Sequence, residues 1–128
     1  MKQLFILMKL CVLLFVFPLV SNAQIEEPLV GAYTITQGSE ADQLIISSDK
    51  VEALINSNVV EKYFFYEKEN DIYILEKVDL DVTSIDKSIK KDRRLFKVSL
   101  THLSEESILL NITHPNGRNQ EMIINKNE

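Results

Sequence analysis

Apolar and polar residues alternate along much of the chain with a period of two, which is typical of strands in a sheet with one wet face. Residues 93–103 show the pattern most clearly, because Phe96, Val98 and Leu100 fall on one face and polar residues on the other. Residues 107–113 repeat it with Ile108, Leu110 and Ile112. The alternation predicts antiparallel strands in both places.

About eight short strands are predicted in the whole chain. Turn residues separate them, and the strongest turn signal is the Asn-Gly pair at Asn116 and Gly117. The predicted strands are 29–36, 42–48, 51–56, two long strands within 58–82, and then 93–103, 107–113 and 119–126.

The two long strands within 58–82 carry a run of aromatic residues, 63–66, whose facing the sequence leaves open. A turn centred on Asn70 and Asp71 pairs Phe65 with Glu76, whereas a turn centred on Glu69 and Asn70 pairs Phe65 with Ile74. Successive side chains of a strand point to opposite faces. One aromatic pair is therefore expected inside, and the other is expected to meet a partner or lie beneath residues 79–92.

Residues 79–92 interrupt the alternation with a polar stretch. Thr83 or Ser84 could cap a short helix, and Ile85 and Ile89 would share one side of it. The stretch predicts a short helix or an ordered loop at about 83–91 that covers an end of the sheet.

These elements predict an all-β fold of one domain. Nearly every connection is short enough for a hairpin, and consecutive hairpins form a meander that can close into a barrel without exposed edges. The alternative is a β-sandwich, which needs a long crossover that only residues 79–92 could supply.

The first 23 residues have the pattern of a secretory signal peptide. Lys2 and Lys9 supply positive charge before the apolar run of residues 10–20. The small residues Ser21 and Ala23 follow that run, so cleavage is expected between Ala23 and Gln24. The single cysteine, Cys11, follows a lysine-containing stretch that does not suit lipoprotein processing. We therefore expect a secreted or periplasmic barrel of residues 24–128 without a stable membrane anchor.

Composition excludes several classes of function. The chain has 14 basic and 19 acidic residues, and removal of Lys2 and Lys9 with the signal leaves the net charge near −7, which disfavours nucleic acid as a partner. The mature chain has no cysteine for disulfides, thiol catalysis or metal ligation. The two histidines, His102 and His114, are not expected to meet across their hairpin. We expect neither an enzyme nor a metal or other cofactor.

The start of the first strand, with Gly31 followed two residues later by Tyr33, resembles the opening of lipocalins. The resemblance implies a barrel that binds an apolar or amphipathic small molecule. In that family the aromatic residue closes the barrel floor, and a late basic side chain commonly packs over it. Arg118, the only late arginine, is the candidate for that side chain.

The aromatic residues predicted to line a ligand site come from four strands. The alternative function is a non-enzymatic interaction module, such as an inhibitor or accessory subunit of an envelope protein, that uses outward-facing aromatics. The predicted lining residues are Tyr33, Phe64, Tyr66, Tyr73 and Phe96.

Overall fold

The computed structural model describes residues 24–89 and 92–127, which form a barrel of eight antiparallel strands. The strands are β1 (Gly31–Gln37), β2 (Gln43–Ile46), β3 (Lys50–Ile55), β4 (Asn58–Glu69), β5 (Ile72–Val78), β6 (Leu95–His102), β7 (Ser107–Thr113) and β8 (Asn119–Lys126). Each strand pairs with the next, and β8 pairs with β1 to close the sheet. The predicted meander barrel is confirmed, and the sandwich alternative is wrong. The predicted signal peptide, ending at Ala23, lies outside the described residues.

The inner face of the barrel holds a continuous hydrophobic core. Residues that alternate along each strand supply it, and the most deeply buried are Tyr33 on β1 and Ile124 on β8. Ile124 pairs with Ile35 on one side and with Ile108 on the other, so one apolar layer crosses three strands. Burial of such side chains contributes about 1.5–3 kcal/mol each.

The residues before β1 close one end of the barrel. Ile25 is buried, and its backbone N–H donates to the Ser48 carbonyl oxygen at 2.7 Å. Glu27–Leu29 forms one short 3-10 turn with Pro28 in its first positions. The first strand therefore begins at Gly31 rather than at residue 29, because the turn occupies the residues around Pro28.

No helix among residues 24–89 and 92–127 is long and apolar enough to cross a membrane.

The hairpin of β4 and β5 resolves the two registers that the sequence leaves open. Its turn is centred on Asn70 and Asp71, with Asn70 in the left-handed region at a φ of 55°. A bulge between Phe65 and Glu67 then shifts the pairing by one residue, and Phe65 lies opposite Leu75. Of the two turns that the sequence left open, the one at Asn70 and Asp71 is observed. Phe65 has neither of the two expected partners, since a bulge inserts an unpaired residue.

The bulge sends Tyr63 and Phe65 to the inner face and leaves Phe64 and Tyr66 outside. Phe65 belongs to the core, and its ring meets that of Tyr73 edge to face at 6.2 Å. Phe64 is also buried, although it points outward. Something outside the sheet must therefore cover it.

That cover is the connection between β5 and β6, here called the outer segment (residues 79–89 and 92–94). The buried Lys62 beside Phe64 donates its amine to the carbonyl oxygens of Leu80 and Val82. Arg93 forms an ion pair with Glu76, and its Cζ atom lies over the ring of Tyr66, 4.9 Å from the ring centroid. The segment therefore covers the outward aromatic residues, as expected. It lies on the outer wall of β4 and β5, however, and not over an end of the sheet.

The described part of the outer segment is a loop rather than a helix. The backbone hydrogen bonds within the segment close isolated turns: the Val82 N–H donates to the Asp79 carbonyl oxygen, and the Ile89 N–H donates to the Asp86 carbonyl oxygen. The carboxylate of Asp86 accepts the hydroxyl and the N–H of Ser88, and both bonds lower the pKa of Asp86. Side-chain bonds of this kind compete with a continuing helix. Of the two predicted forms, the loop is therefore observed.

Candidate functional site

The interior of the barrel contains a cavity of about 340 Å³. Its wall is largely apolar because it is made of the inward residues of seven strands. The volume is at the lower end of the range of about 300–1,000 Å³ that is usual for small-molecule sites. Apolar residues of the wall include Leu44, Ile46, Val51, Ala53, Leu75, Phe96, Val98, Leu100, Leu110, Ile112 and Met122.

One end of this cavity, here called the floor, is closed by Ile25, Leu29 and Tyr73. Tyr33 supports the floor, because its hydroxyl donates to the Leu29 carbonyl oxygen at 2.7 Å. Burial raises the pKa of the Tyr33 hydroxyl, which therefore stays protonated as the donor.

The basic side chain beside Tyr33 is that of Lys126, not that of Arg118. Lys126 pairs with Tyr33 across β1 and β8, and its amine donates to the Pro28 carbonyl oxygen at 3.3 Å. Its side chain crosses Gly31, where an added Cβ would lie 3.1 Å from the Lys126 Cε. The expectation for Arg118 is wrong because the hairpin of β7 and β8 carries it to the opposite end of the barrel.

That opposite end, here called the rim, is polar. The amine of Lys77 lies 2.8 Å from the Glu61 carboxylate, which also accepts the Tyr63 hydroxyl at 3.1 Å. Burial raises the pKa of Tyr63, and the negative charge of Glu61 and the hydrogen bond to it raise it further. Tyr63 therefore remains a donor, and both partners of Glu61 bind its Oε2 atom.

The β7–β8 turn supplies the other half of the rim. A guanidinium nitrogen of Arg118 lies 3.2 and 3.3 Å from the two ring nitrogens of His114. The Nε2 atom of His114 is also 2.8 Å from the side-chain oxygen of Gln120, and its ring meets Phe96 edge to face at 4.9 Å. Phe96 thus joins this polar group to the apolar wall.

The five predicted lining residues fall in three places. Tyr73 and Phe96 line the cavity, and Tyr33 lies below its floor. Phe64 and Tyr66 point outward beneath the outer segment, so the expectation that they line the interior is wrong. Their facing depends on the bulge in β4, which the sequence does not reveal.

The rim residues are the part of the site that the sequence reasoning missed. Glu61 and Lys77 lie on neighbouring strands, and His114 and Arg118 flank a predicted hairpin turn. The turn alone could have placed the latter pair together, because strand ends joined by a tight turn are neighbours. Their position over a cavity needed the closed barrel.

A second cavity of about 380 Å³ lies on the other side of the floor and is more polar. Glu26, Lys68, His102 and Tyr73 contribute to its wall. Tyr73 lines both cavities, and its buried hydroxyl has no hydrogen-bond partner among the described residues. An unsatisfied buried hydroxyl costs stability or awaits a bound molecule.

The two histidines lie at opposite ends of the barrel, His102 by the second cavity and His114 at the rim. Within residues 24–89 and 92–127, no group of three or more His, Cys, Asp or Glu side chains could hold a metal ion. No protein-family model matches the chain, and no curated protein and no solved structure is significantly similar to it.

Proposed function

We propose that the chain is an exported lipocalin-like protein that binds an apolar or amphipathic small molecule inside its barrel. The observation that carries the proposal is the apolar cavity of about 340 Å³, which is closed at the floor and polar at the rim. Small barrels of eight strands are either filled by their own side chains or hold one small ligand. The volume left here favours the second case.

The geometry of the floor supports the lipocalin-like part of the proposal. Tyr33, two residues after Gly31, is almost fully buried there, and the late basic residue Lys126 lies beside it. Both features are those that the resemblance implies, with Lys126 in the role expected of Arg118.

The alternative proposal, an interaction module of the cell envelope, depends on outward aromatics that are free to meet a partner. Phe64 is buried, and Tyr66 lies beneath the guanidinium of Arg93. Because the protein's own outer segment occupies these rings, the ligand-binding proposal is preferred.

Native mass spectrometry of the protein purified after export of the full-length chain tests the proposal, together with solvent extraction of whatever it carries. We expect a bound apolar or amphipathic molecule that extraction releases. Ala53→Leu puts extra volume into the cavity and should lower occupancy, whereas Ala32→Leu makes the same change on the exposed outer face of β1. A protein without a ligand that also fails to take up any added amphiphile would contradict the proposal.

A further inference from the structure

The charges around the rim are unequally paired. Of the three arginines in the chain, Arg93 and Arg94 each lie within 4.0 Å of a carboxylate, Glu76 and Asp79 respectively. No carboxylate of the described residues lies that close to Arg118. Among the described residues, the arginine at the mouth of the cavity is therefore the one without an acidic partner.

The acidic residue of the cavity wall is already engaged. Glu61 is the only carboxylate among the described residues that line the cavity, and Lys77 and Tyr63 both bind it. Both partners bind its Oε2 atom, and the positive charge of Lys77 offsets the negative charge of Glu61. The free charge that a ligand would meet at the rim is the positive charge of Arg118.

The surroundings of Arg118 hold its guanidinium without neutralising it. Its contacts are the ring nitrogens of His114, which is itself fixed by Gln120 and by the edge of Phe96. The planar guanidinium presents a fork of N–H donors that matches the two oxygens of a carboxylate. Because Arg118 is exposed to solvent, the strength of such a bond depends on this two-pronged geometry rather than on burial.

From this arrangement we infer that the ligand is an amphiphile with a carboxylate head group, which binds Arg118 at the rim while the apolar part enters the barrel. The inference rests on the proposed function and adds the chemical class of the head group. The negative net charge of the protein disfavours anions at long range, but salt screens that repulsion over about 8 Å. Selectivity for the carboxylate must therefore come from direct contact with Arg118.

Three amphiphiles with the same alkyl chain and different head groups test the inference: decanoate, decan-1-ol and decyltrimethylammonium. Each is titrated calorimetrically, the two ionic compounds below their micelle concentrations and decan-1-ol below its solubility limit. We expect the exported wild-type protein to bind decanoate about tenfold or more tightly than the other two, since a factor of ten equals about 1.4 kcal/mol. Arg118→Gln should abolish the preference, because it should lower the affinity for decanoate much more than the affinity for decan-1-ol. Arg118→Lys keeps the charge but loses the fork, and should retain part of the preference.

The matched control is Lys97→Gln, which removes one positive charge from the exposed outer face of β6. It should leave the preference for decanoate intact. Equal affinities of the wild-type protein for the three heads, or a preference that survives in Arg118→Gln, would overturn the head-group inference while the proposed function stands. If none of the three amphiphiles binds and the exported protein carries no extractable ligand, both proposals are wrong.

Discussion

The two ends of the barrel are built on different principles. At the floor, Ile25, Leu29 and Tyr33 pack together, and the Ile25 N–H and the Tyr33 hydroxyl donate to backbone carbonyl oxygens. At the rim, charged and polar side chains such as Glu61, Lys77 and Arg118 face both the cavity and the solvent. The difference indicates that the floor provides stability and that the rim is available for recognition.

The largest effect on stability is expected from Tyr33→Ala at the floor. Removal of a large buried side chain costs about 3–5 kcal/mol, and the Leu29 carbonyl oxygen also loses its donor. Urea unfolding of Tyr33→Ala and of Tyr63→Ala at the rim measures the contrast. Tyr63→Ala should lower the free energy of unfolding clearly less than Tyr33→Ala, because Tyr63 is only half-buried. Equal losses in the two variants would show that the two ends do not differ in this way.

Alkaline pH should also destabilise the protein. The pKa of Tyr33 and that of Tyr63 are both raised above 10.0 in the folded state. Below pH 10 both states keep the protons, so the contribution is complete. Above pH 10 the unfolded state loses them first, and the free energy of unfolding falls as the pH rises toward the folded-state pKa values.

Unfolding curves between about pH 8 and pH 11 check this sign. Tyr63→Phe should flatten the decline, and the outward variant Tyr66→Phe serves as the control. The effect of Tyr63 should extend to higher pH than that of Tyr33, because Glu61 adds to the effect of burial. A stability that rises with pH in this range would contradict the assignment.

A smaller effect, of opposite sign, is expected from Tyr73→Phe. The hydroxyl of Tyr73 is buried without a partner, and removal of such a group should raise the free energy of unfolding by about 1 kcal/mol. Thermal and urea unfolding of the ligand-free protein measure the change. A loss of stability would mean that the hydroxyl is hydrogen-bonded in solution.

The smallest effect is expected at the rim from Glu61→Gln. The side chains of Glu61 and Lys77 are 36% and 31% exposed, and exposed ion pairs contribute about 0–1 kcal/mol. Urea unfolding at low and high salt should differ little between this variant and the wild type. A loss of several kcal/mol would make the rim a structural element like the floor.

Much of the fold could be predicted from residues 93–126, where alternation indicates the strands and their facing and Asn116-Gly117 marks a hairpin. The register of that hairpin differs by one residue from that of a two-residue Asn-Gly turn, because its loop has three residues, 115–117. The run at residues 63–66 shows the limit, because every position is aromatic and no polar residue marks the outer face. The bulge in β4 decides the matter, and it is a feature of the pairing with β5. Such tertiary contacts leave no periodic signal in the sequence.

The candidate site was predictable only in part, for a related reason. Alternation places Phe96 on an inner face, and this position is correct. The partnership of Arg118 depends on which end of the barrel its hairpin reaches, which only closure of β8 on β1 determines. Lys126 took the place beside Tyr33 because it pairs with that residue directly across these two strands.

The most direct test of ligand binding inside the barrel is to observe intermolecular nuclear Overhauser effects between decan-1-ol and the labelled methyl groups of the exported protein. Binding in the cavity predicts contacts with the inward methyls of Leu75, Val98 and Leu110 and none with the outward methyls of Leu54 and Ile74. Contacts confined to the outward methyls, or no contacts at saturating ligand, would contradict a ligand-binding interior.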